Sequence, residues 1–311
     1  MLAVLCPGQG SQTPGFLTPW LELPGVRARL GWLSAVAGPL SGADLLTHGT
    51  TSDAETIRDT AVAQPLIVAS GLAVLAELLE GVDEAALGAV AGHSVGEVTA
   101  AAAAGVLTAE QAVVLVRERG AAMAAAAART ATGMAAVVGG APDDVEAAIA
   151  RAGAVAANRN GAGQVVAAGT TDQLAALAAD PPARARVIPL QVAGAFHTEH
   201  MAPAVQVLAE LAPGITTAAP RVALLSNADG EVVTDGDEAL RRIVAQVANP
   251  VRWDLCQQTL AARGVTGIVE LAPAGTLTGL AKRALPGVEA VAVRTPDDLD
   301  AARDLVRRVA R

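Results

Sequence analysis

The sequence feature that most restricts how this chain folds is a Gly-x-Ser-x-Gly motif formed by Gly92, Ser94 and Gly96. An apolar run, residues 87–91, precedes the motif, and an alanine-rich, helix-favouring run follows it, which is the strand–turn–helix context of a nucleophile elbow. Glycines permit a sharp turn that exposes the Ser94 hydroxyl at the strand tip, and the following helix directs its positive N-terminus at the same point. The pattern predicts a serine nucleophile on an α/β scaffold, with a purely structural turn as the alternative.

A serine hydroxyl is a weak nucleophile that needs a base, and the chain has four histidines. His93 is adjacent to Ser94, so its side chain diverges from the hydroxyl and is better suited to hydrogen bonding around the site. His48 lies in a loop before a polar segment and is expected at the surface. His197 is favoured over His200 as the base, because a loop can aim it at the elbow whereas His200 lies within the following helix. A metal pair formed by His197 and His200 is the weaker alternative, since further ligands are missing.

An inserted block separates the predicted nucleophile from the predicted base. Residues 130–195 show the order β-α-β-β-α-β of the ferredoxin-like split unit, inside a chain otherwise patterned as an α/β domain. The predicted architecture is therefore an α/β-hydrolase-like large domain, residues 1–129 and 196–311, with a ferredoxin-like small subdomain, residues 130–195. An α/β-hydrolase carries its acid between serine and histidine, but the acidic residues of this interval occupy helix-start and surface positions. An ordinary hydrolase is thus disfavoured, and a polar residue after His197 must orient the histidine.

Six short motifs together identify a family. They are Gly8-Gln9-Gly10-Ser11-Gln12, Gln64-Pro65, Gly92-His93-Ser94-Val95-Gly96-Glu97, Arg119-Gly120, Gly163-Gln164-Val165-Val166 and Asn249-Pro250-Val251. In this order and spacing they resemble the malonyl-CoA:acyl carrier protein transacylase family, and the resemblance covers nearly the whole chain. The chain departs from the family at Ala272-Pro273-Ala274, where Gly-Pro-Gly is usual, so an altered turn is expected there.

The resemblance implies a catalytic set. Ser94 would receive the acyl group as an ester, and His197 would be the general base. The main-chain carbonyl of Gln246 would orient the histidine, which would explain the missing acid. The N–H groups of Gln9 and Val95 would form the oxyanion hole.

The resemblance also implies the substrate-binding residues. Arg119 would hold the malonyl carboxylate through a bidentate pair, for which a planar guanidinium is suited; without the resemblance it is interpreted as a solvated helix arginine. Phe196 would leave little room for a 2-methyl branch on the acyl group. His93 is assigned to the same set as a hydrogen-bonding neighbour of Ser94.

The implied activity is ping-pong transfer of a malonyl group, with malonyl-CoA and an acyl carrier protein as partners and with no cofactor. Three alternatives stay open: a serine esterase or thioesterase, a polyketide acyltransferase that takes another extender unit, and a non-catalytic scaffold of a synthase complex. The choice between fatty-acid and polyketide synthesis also stays open. Two basic pairs, Arg241-Arg242 and Lys282-Arg283, are candidates for docking an acidic carrier, with solvated helix surface as the alternative.

Composition narrows the partners and the compartment. The formal net charge is −9 and no basic cluster stands out, so a nucleic-acid partner is not expected. We identify no run of about 18 strongly apolar residues and therefore expect no membrane span. Two cysteines do not make a disulfide framework and fit a reducing cytoplasm. A monomer is the working expectation.

Overall fold

The fold rests on two separate β-sheets, which a computed structural model describes over residues 1–82, 86–192 and 194–309. The described strands of the larger sheet are β1 (Leu2–Cys6), β2 (Ala89–Gly92), β7 (Ala223–Leu225), β8 (Val232–Val233), β9 (Gly267–Glu270) and β10 (Glu289–Ala292). They lie in the order β10-β9-β1-β2-β7-β8, and every neighbouring pair is parallel except β7 with β8. β1, β2 and β9 are buried along their whole length, as expected for parallel strands covered on both faces.

The α-helices described outside the smaller sheet form the layers around this one. They are α1 (Pro24–Ala37), α2 (Leu45–Thr50), α3 (Thr60–Leu78), α4 (Gly96–Ala103), α5 (Ala109–Ala127), α8 (Ala202–Leu211), α9 (Gly236–Gln246), α10 (Trp253–Ala262), α11 (Thr276–Ala284) and α12 (Leu299–Val309). The capping box predicted at Thr108 is present and starts α5. α5 packs closely on α3 because Gly120 has no side chain: a Cβ there would lie 2.8 Å from the carbonyl oxygen of Thr60.

Helix α3 is more apolar than predicted. It is long and apolar enough to cross a membrane by length and composition, so the statement that the chain has no such run was wrong. However, 78% of its apolar window is buried inside the protein. The helix therefore has the burial of a core element, and its apolar faces contact the surrounding helices rather than solvent.

The smaller sheet is antiparallel throughout. Its described strands and helices are β3 (Thr132–Gly139), α6 (Pro142–Arg151), β4 (Val155–Gly161), β5 (Gln164–Thr170), α7 (Thr171–Ala179) and β6 (Ala185–Pro189). The strand order β4-β5-β3-β6 is the ferredoxin-like arrangement. Pro189 lies on the edge strand β6, where the missing N–H of a proline breaks no interior ladder.

The two sheets meet where β4 runs beside the segment that follows α9. The N–H of Val251 donates to the carbonyl of Ala157 at 2.8 Å, and the N–H of Arg159 donates to the carbonyl of Val251 at 2.9 Å. These two bonds form a short parallel bridge between Asn158 and Val251. The bridge fixes the smaller sheet only a few residues from the end of α9.

The predicted fold class, a mixed α/β domain with a ferredoxin-like insertion, is confirmed. The two-residue strand β8 was not predicted, because two apolar residues carry no periodicity. The domain boundaries stay a prediction, and residue 311, the predicted end of the large domain, lies outside the described residues.

Candidate active site

The predicted elbow is a sharp turn between β2, which ends at Gly92, and α4, which begins at Gly96. A Cβ at Gly92 would lie 2.0 Å from the main-chain carbonyl of Gly96, and a Cβ at Gly96 would lie 2.1 Å from the carbonyl oxygen of Cys6. Both glycines are therefore required by close backbone contacts. Ser94 has a φ of +54°, the left-handed region that a residue with a side chain seldom occupies.

His197 is the histidine that contacts the serine. Its Nε2 lies 2.7 Å from the Ser94 Oγ, and its Nδ1 lies 2.8 Å from the main-chain oxygen of Gln246. A carbonyl oxygen can only accept, so Nδ1 carries the ring proton and Nε2 is free to accept a proton from the serine. His197 itself has a φ of +61°, and its N–H donates to the carbonyl of Val247 at 3.1 Å. The end of α9 thus fixes both the ring and the backbone of the histidine.

The protonation state of His197 suits a base. Burial, together with the nearby positive charge of Arg119, lowers the pKa of His197 to about 3. The imidazole is therefore neutral at physiological pH and can take a proton from Ser94.

Arg119 is fully buried beside this pair rather than exposed on α5. Its Nη1 donates to the Gln64 Oε1 at 2.6 Å, and its Nη2 donates to the Gln246 Oε1 at 2.9 Å. Its Nε has no hydrogen-bond partner among the described residues. Burial lowers the pKa of Arg119 to about 10, with the charge of Glu97 opposing, so the guanidinium stays positively charged at neutral pH. The site therefore contains a buried cation with unused donor capacity.

Glu97 and Asn227 complete the network, although no role was predicted for either of them from the sequence. The main-chain N–H of Asn227 donates to the Glu97 Oε1 at 2.7 Å, and the Gln246 Nε2 donates to the other oxygen of the same carboxyl. Burial raises the pKa of Glu97 to about 7, although these two donors lower it. The N–H of Ser94 donates to the Asn227 Oδ1 at 2.8 Å. Glu97 was visible in the elbow motif, whereas no local pattern singled out Asn227.

The two main-chain N–H groups predicted to form the oxyanion hole have no acceptor among the described residues. No hydrogen bond found within residues 1–82, 86–192 and 194–309 uses the main-chain N–H of Gln9 or of Val95 as its donor. The Gln9 side chain donates to the carbonyl of Arg58 at 3.1 Å, which fixes the loop after β1 against the start of α3. The Ser94 N–H is already bonded to Asn227. The role of the Gln9 and Val95 N–H groups as oxyanion donors stays a prediction.

His93 and Phe196 lie beside the central pair. The Nε2 of His93 is 2.8 Å from the Asn160 Oδ1, and its ring packs edge-on against Trp253 with centroids 5.7 Å apart. Burial lowers the pKa of His93, so this histidine is also neutral. Phe196 is buried immediately before His197. The substrate-binding roles of His93 and Phe196 stay predictions.

The other two histidines are outside the site. The prediction that His48 lies at the surface is wrong: it is buried, with its Nε2 2.7 Å from the carbonyl of Leu40 and its Nδ1 3.0 Å from the Ser52 Oγ. A segment with turn-like composition can still be covered by neighbouring helices, and here it forms α2. His200 contacts neither Ser94 nor a ring of other metal-binding side chains, and no cluster of three or more potential ligands occurs in the described chain.

The two basic pairs differ in their surroundings. Arg242 forms ion pairs with Asp229 and Glu238, and Arg241 pairs with Glu238, so the charge of this pair is largely neutralised locally. Lys282 and Arg283 are exposed at the end of α11.

Comparison with known proteins matches this geometry to one group. Residues 4–296 match the acyl transferase domain family. The malonyl CoA-acyl carrier protein transacylase of Mycobacterium tuberculosis is 52% identical over 310 residues, which cover 98% of this chain and 100% of the relative. The crystal structure of MCAT from Mycobacterium tuberculosis has a TM-score of 0.93 at 52% identity and covers 97% of this chain and 99% of that one. A structure of a type II PKS acyl-carrier protein in complex with its malonyl-transacylase has a TM-score of 0.89 at 30% identity, with 97% and 99% of the two chains covered.

Proposed function

We infer the function from one premise: the chain belongs to the acyl transferase domain family and, within it, to the malonyl-CoA:acyl carrier protein transacylases. We propose that it transfers a malonyl group from malonyl-CoA to the phosphopantetheine thiol of an acyl carrier protein, with Ser94 as the temporary acyl carrier. The proposed setting is the cytoplasm, which suits the two free and buried cysteines. The reaction needs no cofactor beyond its substrates.

The observation that carries this proposal is a set of hydrogen bonds that links the nucleophile to the cation through Gln246. It runs from the Ser94 Oγ to His197, from His197 to the main-chain oxygen of Gln246, and from the Gln246 side chain to Arg119. One residue, Gln246, therefore orients the base with its backbone and holds the arginine with its amide. This arrangement fits a site that must place a carboxylate and an acyl carbon at fixed positions relative to each other.

In the first half-reaction the Ser94 Oγ attacks the thioester carbonyl carbon of malonyl-CoA. A new C–O bond forms while the hydroxyl proton passes to the Nε2 of His197. The oxyanion lies against the free N–H groups of Gln9 and Val95. The C–S bond then breaks, and coenzyme A leaves as a thiol after taking the proton from His197.

In the second half-reaction the carrier thiol replaces the serine. His197 removes the proton of the phosphopantetheine thiol, whose sulfur attacks the ester carbon of malonyl-Ser94. The C–O bond breaks, and the proton returns from His197 to the Ser94 Oγ. The neutral imidazole accepts each proton, and the imidazolium, whose pKa is lowered by burial, gives that proton up readily to the departing group.

The malonyl carboxylate is proposed to pair with Arg119. The Nε of this arginine lacks a partner in the described chain, and a guanidinium offers five N–H donors of which Gln64 and Gln246 use two. A carboxylate beside Nε would satisfy the orphaned donor and neutralise a buried charge. The pairing of a substrate carboxylate with Arg119 favours malonyl transfer over general ester hydrolysis. The partner of the His197 Nδ1 also favours it, because that partner is a main-chain carbonyl, whereas a serine hydrolase has a carboxylate there.

The test is formation and discharge of the acyl-enzyme. Incubation with malonyl-CoA, followed by intact-mass measurement, should add one malonyl group to the wild type and none to Ser94→Ala. Addition of holo-carrier protein should then move that mass onto the carrier.

A matched pair of histidine variants separates the base from its neighbour. His197→Ala should acylate far more slowly, whereas His200→Ala, three positions away and without a bond to Ser94, should acylate at the wild-type rate. Stable labelling of Ser94→Ala, or rapid loss of the malonyl group to water with none on the carrier, would overturn the proposal.

A further inference from the structure

The turn that carries Ser94 is bridged by a side chain from another strand. Asn227 is fully buried, and its Oδ1 accepts the Ser94 N–H at 2.8 Å while its Nδ2 donates to the carbonyl of Gly92 at 2.7 Å. One amide group therefore joins the two ends of the elbow turn. Without it, one buried donor and one buried acceptor would each lose a partner.

The bridge reaches the elbow because of the order of the strands. β2 and β7 are parallel neighbours, with Ala91 opposite Leu225. Asn227 follows β7 by two residues, just as Ser94 follows β2 by two. The carboxyl ends of neighbouring parallel strands lie at the same edge of a sheet, so the two residues meet there.

The elbow conformation needs such a restraint. A serine at a φ of +54° lies in a sparsely populated region, which persists only where surrounding contacts hold it. Within the described chain, the bond to Asn227 is the one the Ser94 N–H makes. Relaxation of this turn would move the Ser94 Oγ away from the His197 Nε2, which now lies 2.7 Å away.

The Asn227 amide is itself held in one orientation. Its Oδ1 also faces the Gln246 Nε2 at 3.1 Å, so the oxygen meets two donors, while its nitrogen meets a carbonyl. A flip of the amide would oppose donor to donor and acceptor to acceptor. The Asn227 backbone is anchored at the same time, because its N–H donates to Glu97 and its carbonyl accepts from the N–H of Arg252 at 2.8 Å.

We propose that Asn227 is a positioning residue for the nucleophile: it clamps the elbow so that Ser94 meets its base, and it keeps the Ser94 N–H out of the oxyanion hole. The oxyanion is then left to Gln9 and Val95. The inference rests on the proposed function only in requiring a serine nucleophile, and it does not depend on which acyl group Ser94 receives.

The test measures the reactivity of Ser94 toward an alkyl fluorophosphonate and, separately, toward malonyl-CoA. With the fluorophosphonate, an O–P bond forms to the Ser94 Oγ, the P–F bond breaks, fluoride leaves and His197 takes the hydroxyl proton. This probe carries no malonyl group. Wild type that reacts with the probe but forms no malonyl-enzyme would refute the proposed function, and the variants would still test the clamp.

Two substitutions separate the halves of the bridge. Asn227→Ala removes both bonds, and Asn227→Asp keeps an acceptor for the Ser94 N–H but turns a carboxylate oxygen toward the carbonyl of Gly92. We expect both variants to react on the order of 10- to 100-fold more slowly with the probe near neutral pH.

In a Ser94→Ala background, Asn227→Ala should bind malonyl-CoA as tightly as its parent. Gln206→Glu, the same change from amide to carboxylate at an exposed position on α8, is the matched control.

Acid should partly rescue Asn227→Asp. A protonated carboxyl regains an O–H donor toward the carbonyl of Gly92, so the rate of this variant relative to wild type should rise as the pH falls. Titratable or charged groups near this position are Glu97 on α4, Cys256 on α10 with Asp229 and Asp254 near its thiol, and His197 and Arg119 across Ser94 and Gln246. The wild type shares all of them, so the ratio of rates reports the introduced group.

Three results would overturn the inference. Wild-type reactivity in both variants would show that the bridge does not position Ser94. A ratio that stays flat with pH would show that the bond to Gly92 is irrelevant. Equal losses of probe reactivity and malonyl-CoA affinity would indicate a general structural role instead.

Discussion

Replacement of Arg119 by alanine should remove the preference for an acyl group that carries a carboxylate. The guanidinium is fully buried, and its partners in the described chain are the neutral amides of Gln64 and Gln246. A malonyl carboxylate bound there would form a buried ion pair, and removal of one partner from such a pair costs about 3–5 kcal/mol. At about 1.4 kcal/mol per factor of ten, kcat/KM for malonyl-CoA should fall on the order of 100- to 5,000-fold.

Acetyl-CoA provides the internal reference, because it presents no carboxylate. Arg119→Ala leaves the two glutamine oxygens without a buried donor, which costs stability on the order of 1–3 kcal/mol for each. That loss affects both substrates alike. The ratio of kcat/KM for malonyl-CoA to that for acetyl-CoA therefore isolates the carboxylate contact, and it should fall by the full factor.

Two further variants define the result. Arg119→Lys keeps a positive charge but loses the planar fork, so its selectivity should lie between those of wild type and the alanine variant. Arg117→Ala, on the exposed side of the same helix, should keep the wild-type ratio. An unchanged malonyl-to-acetyl ratio in Arg119→Ala, measured by rapid quench of the acyl-enzyme, would refute the reasoning.

Two other predictions concern the base and the support of the arginine. Burial lowers the pKa of His197 to about 3, so its ring resonance should show no protonation midpoint between about pH 5 and pH 8. The measurement is an NMR titration in which the resonance is assigned with His197→Ala. A midpoint near the ordinary pKa of about 6.5 would contradict the burial argument. Gln64→Met keeps the side-chain length but removes the acceptor for the Arg119 Nη1. KM for malonyl-CoA should therefore rise on the order of tenfold, while KM for acetyl-CoA stays unchanged. Equal changes in KM for both substrates would indicate a general loss of packing.

The parts of the site predicted from the sequence are those encoded locally. The turn at Ser94 needs two glycines within five residues, because a Cβ added at Gly92 would lie only 2.0 Å from the backbone of Gly96. The small sheet was also predictable, because its short apolar strands and two helices follow each other without interruption, one helix starting at Pro142 and the other at the capping box of Thr170. The pairing of Ser94 with His197 followed from the small number of histidines.

The parts that were missed depend on contacts between distant segments. Asn227 reaches the elbow only because β7 lies beside β2, and a strand order is not written in any single stretch of sequence. The side chain of Gln246 was likewise unforeseen: the resemblance assigned a role to its carbonyl, but its amide also bonds Arg119 and Glu97. The burial of His48 was missed for the same reason, since the helix that contains it packs against α1 and α3.

The bridge between β4 and Val251 has a mechanical consequence. Two backbone hydrogen bonds hold the small sheet against the large domain on this side, and Val251 follows the orienting residue Gln246 by only five positions. Any separation of the two units that opens at this point must break both bonds and would pull on the loop that holds the imidazole of His197. A separation of the two units that leaves His197 in place must therefore pivot about β4, with the larger movement at the opposite edge strand, β6. The amide hydrogens of Arg159 and Val251 would then exchange with solvent in a single shared opening, more slowly than those along the far edge.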